Sequence, residues 1–451
     1  MGPSSWGLFG PRAWFENRPP PCHHLKSMPI PRRIHPAWVV LGAITLCLLA
    51  STGVRAVFGV YIKPIEAETG WSRGSLSIAA AISLLLLGAT GPFAGRLADR
   101  WGPRRVIVVA LALLGAGSIA AAFIQSLWQL YVTVGVVMSV GAGGAALSTG
   151  SAVVARWFET HRGAAIGIAA GGMSAGQLIM IPLATVITLG WGWRASSLWL
   201  GLGLLAIVLP IGAWLVRNVP EERGLRPYGA VGTALTVTQA KAAQQAGRVS
   251  VTEAAQTLPF WLLMGTFFVC GYTSVGMIGT HFIPHALEHN FTAMQASVAL
   301  GVMGAMNIVG TIGSGWLCDR VGRRWPLAIF YFVRGLSLIF LLYVWNVPSL
   351  HFGAALFGLN YISTVPPTTT LTANIYGRFS VGELSGWIFF AHQVGAALAA
   401  ALAGWIYEWT GSYAPAFLSA ALMAVLAAGM TLMIREEPIS ARPLQPARAT
   451  L

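Results

Sequence analysis

The chain is poor in charge. Only 9% of its 451 residues are Asp, Glu, Lys or Arg, against about 25% in an ordinary soluble domain. Acid is the scarcer sign, with 14 Asp and Glu against 28 Lys and Arg and a formal net charge of +14. With 55% hydrophobic residues and a mean hydropathy of +0.67, this deficit excludes a soluble globular enzyme and a disordered chain. Cysteine is sparse too. Cys22, Cys47, Cys270 and Cys318 are scattered, which excludes a disulfide scaffold and offers no metal-ligand spacing. The first 35 residues lack an apolar core followed by a cleavage site, so they are not a secretory signal. Rich in Pro and Arg, residues 1–35 read as a disordered cytoplasmic tail. Met28 opens MPIPRRIHPAWVV, an expected alternative start that would leave the first 27 residues untranslated.

What is present is a series of long apolar runs. A membrane crossing takes about 20 residues. Twelve runs reach that length: 36–62, 75–97, 104–124, 127–155, 163–187, 192–216, 257–285, 293–317, 325–345, 349–375, 382–407 and 412–434. The expected fold is an all-α polytopic membrane protein of twelve transmembrane helices with both termini on one side. If that side is the cytoplasm, only Lys63, Arg73 and Arg194 face outward. Arg55 and Arg334 lie deep inside apolar runs, and every other basic residue falls in tails, in inner loops or at the inner end of a run. Cytoplasmic loops carry such an excess, so the +14 is explained without nucleic acid.

The chain repeats itself. The loop after the second run reads Gly95-RLA-Asp99-Arg100-W-Gly102-P-Arg104, and the loop after the eighth reads Gly315-WLC-Asp319-Arg320-V-Gly322-R-Arg324. The Gly, Asp, Arg, Gly and Arg so named keep one offset of 220 positions. The chain therefore divides into two pseudo-symmetric six-helix bundles, 36–216 and 257–434, joined by a polar cytoplasmic linker, 217–256, and followed by a tail, 435–451. Two parallel halves around a central cavity are an alternating-access design. The Asp can cap or pair with cationic groups and helix ends, and the glycines permit tight turns. The motif is expected to gate the cytoplasmic side.

G-x-x-x-D-R-x-G-x-R between helices 2 and 3, echoed between helices 8 and 9, resembles the signature of the major facilitator superfamily. The resemblance covers about 36–434. Gly59-VYIKPIEAETGWSRGSLS, Arg156-WFETHRGAAIGIAAGGMSAG and the stretch STVPPTTTLTANIYGRF before GWIFFAHQVGAALAAALAGWIYEWTGSYAPAF are similar to the bacterial monocarboxylate-transporter-like branch. The branch implies transport of small organic anions, often with a proton. Its animal members carry a functional Arg in helix 8, where this chain reads Gly304-AMNIVGTIGSG, with Asn307 and Thr311 instead.

No acidic residue lies at the middle of a run, so the ionisable groups at membrane depth are basic. Arg55 shares a small polar stripe with Ser51 and Gly59 at i, i+4 and i+8. A guanidinium there would hold a carboxylate by two parallel hydrogen bonds, and snorkelling to the outer interface is the alternative. His392, beside Gln393, is the proton-coupling candidate, with a neutral interhelical hydrogen bond as the alternative. Asn307, Asn360, Tyr361, Tyr272 and Gln177 are further substrate-binding candidates, each equally able to bond between helices. Asn360 and Tyr361 precede Pro366-Pro367, which permit a bend. His281 and His285, one turn apart, are expected to line an outer vestibule, and a lone His pair makes no metal site. Arg334 is expected to be structural or to contact a lipid headgroup.

The expected function is secondary transport of a small organic anion, a monocarboxylate, by proton symport in the cytoplasmic membrane. Substrate, proton and membrane lipid are the expected partners, and the functional unit a monomer. No cofactor, metal, nucleic acid or enzymatic activity is expected. Two alternatives stand beside it: an exporter of an amphipathic compound or drug, and a non-transporting membrane sensor.

Overall fold

The computed structural model describes residues 35–438, apart from positions scattered between 231 and 246. Most of the two terminal tails, and part of the linker, fall outside the described residues. The helices are α1 (Pro36–Thr69), α2 (Arg73–Trp101), α3 (Pro103–Ala121), α4 (Leu127–Trp157), α5 (162–191), α6 (193–215), α7 (Leu258–Glu288), α8 (Ala293–Val321), α9 (Arg324–Leu342), α10 in two pieces (Val347–Asn360 and Val365–Tyr376), α11 (Val381–Thr410) and α12 (Ala414–Leu432). Among the described residues, ten continuous helical stretches are long and apolar enough to cross a membrane. One of them, Arg162–Leu215, holds two passes, because Gly192 at φ 82° bends the backbone there. The pass at α10 is interrupted between Asn360 and Val365 and so falls short as a single helix. Twelve passes result.

Local chemistry sets the helix starts, and it repeats with the chain. The Ser72 side chain accepts from Ser75 N at the start of α2, and Thr292 accepts from Gln295 N at the start of α8. Ser126 with Gln129 and Asn346 with Ser349 make capping boxes at α4 and α10. Both pairs keep the offset of 220. Such caps satisfy the free N–H groups of a first turn. Proline opens α3, and Gly70 and Gly411 close α1 and α11 in the left-handed region. The irregularities pair in the same way. α1 breaks at Val57, and α7 takes π-helical form over Tyr272–Ile278. α4 breaks at Ala145–Ala146 and α10 at 361–364. Proline accompanies only the last of these breaks. Exposed Trp101, Trp191, Trp214, Trp345 and Trp409 sit at helix ends, where an amphipathic ring meets the membrane–water boundary.

Two helix pairs join the halves. On the α2–α11 seam, a Cβ at Gly95 would overlap the Gly382 carbonyl, and Gly91 lies against Gly386. On the α5–α8 seam, Gly163 faces Gly315 and Gly167 faces Thr311. Small residues let the backbones touch. These contacts concentrate toward the end of the bundle that carries the α2–α3 and α8–α9 loops, called here the motif face. Farther along, Gln177, Leu178 and Ile179 of α5 are exposed, and Gly301 and Gly304 of α8 meet open space. The halves thus close on the motif face and part toward the opposite face.

Candidate functional site

Arg55 sits in the last turn of the first piece of α1, directly before the break at Val57. It is half-buried. No hydrogen bond or ion pair joins its guanidinium to another described residue. Ser51 on the same stripe is buried, and Gly59 is open. A charge inside a membrane is ordinarily paired or faces a cavity. Arg55 is unpaired and accessible, so its donors are free to take an anion.

The second half contributes a connected cluster. His392 is 8% exposed. Its Nδ1 lies 3.0 Å from Gln393 Oε1, and its ring stacks on Phe389 and tilts against Phe267. Gly271 lets α7 lie directly on the His392 carbonyl. Beside it Cys270 Sγ meets Thr364 Oγ1 at 3.1 Å, at the edge of the α10 break. Asn307 bridges three helices. Its Nδ2 donates to Ser174 Oγ of α5 at 2.8 Å, and its Oδ1 accepts from Thr311 Oγ1 and from Ile362 N, both at 3.1 Å. Ser314 Oγ donates to Ser363 O at 2.5 Å.

Arg334 completes the break. It is fully buried, donating through Nη2 to the carbonyls of Asn360 and Tyr361 and through Nη1 to Thr273 Oγ1 at 3.3 Å. An interrupted helix leaves carbonyls without intrahelical donors, and backbone of this kind persists at membrane depth only where something satisfies it. Arg334 does so from α9. Its burial rules out the headgroup contact that the sequence left open. Asn360 is 3% exposed and spends its Nδ2 on Leu356 O of its own helix. Tyr361 is half-buried against Phe357. Tyr272 is buried in the π-helical stretch of α7, and Gln177 is exposed on α5. Asn307, Asn360, Tyr361 and His392 thus gather around one break, while no hydrogen bond links Arg55, Tyr272 or Gln177 to them.

The two vestibule histidines are placed differently from the expectation. His281 and His285 are 7% and 2% exposed. Their Nε2 atoms lie 3.0 Å from Ala400 O of α11 and from Leu341 O of α9. The His285 ring packs on Phe417 of α12. They fasten α7 to its neighbours and do not line a vestibule. Spacing shows that two residues share a helix face, not what that face meets. Among the described residues no group of three His, Cys, Asp or Glu could hold a metal ion.

The motif residues separate into three kinds. Asp99 and Asp319 reach across the halves. Asp99 accepts from Gly382 N and Glu383 N of α11 at 3.3 and 2.7 Å. Asp319 accepts from Gly163 N and Ala164 N of α5 at 2.8 and 2.7 Å. Gly95 and Gly315 permit these close approaches, whereas Gly102 and Gly322, at φ 95° and 94°, make the turns. Arg104 and Arg324 act within their own halves. Arg104 Nε donates to Ala213 O at the end of α6, and Arg324 Nη1 reaches Leu432 O and Ile434 O at the end of α12. Arg100 is exposed, and Arg320 lies over the Trp316 ring at 4.1 Å. None of these four arginines makes a hydrogen bond or ion pair across the halves among the described residues.

The cross-half network extends beyond the motif. Within the first half, Arg156 pairs with Asp99 at 3.3 Å, both buried. Glu383 takes Arg96 and Arg248, each at 2.8 Å. Arg378 pairs with Glu221 at 3.2 Å, and Arg162 donates to Asn374 Oδ1 at 3.1 Å. Sequence reading missed these partners, which lie more than 50 positions apart. The nearest signal was Glu383, one of few acidic residues, standing at the start of a helix.

A sequence model described as Major Facilitator Superfamily matches residues 44–400 and 269–450. A Bacillus subtilis (strain 168) protein named uncharacterized MFS-type transporter YcxA is 26% identical over 386 residues, covering 83% of this chain and 90% of its own. Monocarboxylate transporter 12 of Mus musculus is 25% identical over 407 residues, covering 84% and 82%. Among solved structures, the proton:xylose symporter XylE aligns with a TM-score of 0.67 at 16% identity, over 90% of this chain and 98% of its own. FucP in its outward conformation aligns with a TM-score of 0.64 at 13% identity, over 89% and 100%. These two likenesses are of fold. With the duplicated loop motif, the twelve passes and a family match that spans most of the sequence, the chain belongs to the major facilitator superfamily of membrane transporters, and it is not an enzyme.

Proposed function

We propose that this transporter carries a small organic anion, a monocarboxylate, by proton symport, with Arg55 as the anion anchor. The observation that carries the reading is the unpaired, half-buried guanidinium of Arg55 inside a membrane-spanning helix. A guanidinium presents two parallel donors to a carboxylate. The printed names of relatives such as monocarboxylate transporter 12 agree with that class of cargo. His392 takes the coupled proton. Among the described residues, the motif-face carboxylates Asp99, Asp319 and Glu383 are engaged there in contacts between the halves. Asn307, Asn360, Tyr361, Tyr272 and Gln177 shape the site around the α10 break and along α5 and α7. Basic loops make the motif face cytoplasmic, with both termini on that side of the cell membrane. The described conformation is then outward-facing, and one chain suffices as the working unit.

The test is uptake of labelled monocarboxylates into proteoliposomes, with and without an inward proton gradient. Gradient-stimulated uptake should fall at least tenfold in Arg55→Ala and return in part in Arg55→Lys. Normal uptake by a folded Arg55→Ala variant would sink the anchor. Absence of carboxylate uptake by the folded wild type would turn the reading toward export of an amphipathic compound.

A further inference from the structure

We propose that the motif face carries a second anion site, for an oxyanion of two or more charges such as a phosphate group, and that its occupation holds the two halves together on that face. The site is a cleft of about 620 Å³. Its walls come from three places: Glu159 and Arg162 at the α4–α5 turn, Glu221 and Arg226 in the segment after α6, and Asn374 in the last turn of α10 with Arg378 just beyond it. It lies apart from Arg55 and the α10 break.

Its chemistry selects an anion. Three guanidiniums face two carboxylates, and Glu221 is already paired with Arg378 at 3.2 Å. Arg226 is exposed, with no hydrogen bond or ion pair to another described residue. Arg162 spends Nε on Phe158 O at 3.0 Å and Nη1 on Asn374 Oδ1 at 3.1 Å, and Nη2 reaches Ala155 O only at 3.5 Å. A guanidinium has five N–H donors, so donors remain on both side chains. Arginine recognises phosphate through paired hydrogen bonds that a lysine does not reproduce. The volume is that of a small-molecule pocket and exceeds a bare phosphate. The oxyanion is therefore borne on a larger body, either a soluble phosphate ester or the headgroup of an anionic lipid.

The walls explain the consequence. Arg162 belongs to the first half, Arg378 to the second, and Arg226 to the segment leaving α6. A ligand that spans them binds fully only while the motif face is closed. A ligand shifts a conformational equilibrium by its difference in affinity between the states, so occupation stabilises the closed face and slows transport without competing at Arg55.

The test uses the full chain in nanodiscs of zwitterionic lipid, titrated with inorganic pyrophosphate and followed by thermal unfolding. Saturable stabilisation is expected, with at least tenfold weaker apparent affinity in Arg226→Gln, an exposed position whose change leaves the fold intact. Arg226→Lys should recover only part of it, and Arg55→Ala should respond like wild type, which separates this site from the anchor. Nanodiscs of anionic phospholipid form the second arm. Stabilisation there without pyrophosphate, lost in Arg226→Gln, would name the lipid headgroup as the source, and a response to pyrophosphate alone would name a soluble ester. Pyrophosphate on the motif-face side should slow flux in wild type and not in Arg226→Gln. No saturable response in either lipid, an undiminished response in Arg226→Gln, or binding without slower flux would overturn the proposal.

Discussion

Asp99 and Asp319 are the same residue of the same motif, 220 positions apart, and each caps a helix of the opposite half through two backbone N–H groups. Their surroundings differ. Asp99 is fully buried and faces the buried guanidinium of Arg156, with Glu383 gathering Arg96 and Arg248 beside it. Asp319 is half-buried and forms no ion pair among the described residues. The first copy is thus the centre of a charge network, and the second is a plain helix cap. Duplication conserved the geometry of the contact while the electrostatics diverged, so motif identity alone does not tell how much each copy contributes.

The largest expected effect is Asp99→Ala. It removes a cap of two hydrogen bonds and strands Arg156 as an uncompensated buried charge, which typically costs about 3–5 kcal/mol. Thermal unfolding in detergent should show the greatest loss here. Equal losses for Asp99→Ala and Asp319→Ala would collapse the distinction between the two copies. Glu383→Gln keeps an acceptor but gives up the charge that holds Arg96 and Arg248, about 1.5–3 kcal/mol for hydrogen bonds to a charged group. Because Arg248 belongs to the linker, faster proteolytic cleavage of 217–256 should accompany it. Asp319→Ala loses a cap and no ion pair, about 0.5–2 kcal/mol by the cost of other helix caps. A double-mutant cycle should show Asp99 coupled to Arg156 more strongly than Asp319 is coupled to Arg162. Smallest is Arg100→Gln, an exposed side chain with no partner among the described residues, which should stay within about 0.5 kcal/mol.

Much of the architecture was legible because it rests on local signals. Hydrophobic run length marks the passes, and the 220-residue offset marks the duplication. What escaped depends on contacts between distant positions or on backbone form. The breaks at Val57 and Ala145 have no proline to announce them, unlike Pro366-Pro367. The bend at Gly192 is one glycine among 53. The site was read unevenly for the same reason. Rarity singled out Arg55, since few charges enter the runs, and the structure leaves it unpaired. His281 and His285 looked alike in rarity, yet their rings end on the backbone of α11 and α9. Arg334 could be judged only once the carbonyls of Asn360 and Tyr361 lay beside it.

The crossed capping by Asp99 and Asp319 has a bearing on assembly. Each half supplies the group that completes a helix end belonging to the other, so neither is chemically finished alone. A half made by itself would leave the first N–H groups of α5 or α11 without their acceptors and a row of glycine backbone uncovered. The two halves carry complementary ends in the manner of a reciprocal clasp. A polypeptide severed within 231–246 retains, in its two pieces, the information needed to find the partner and orient it.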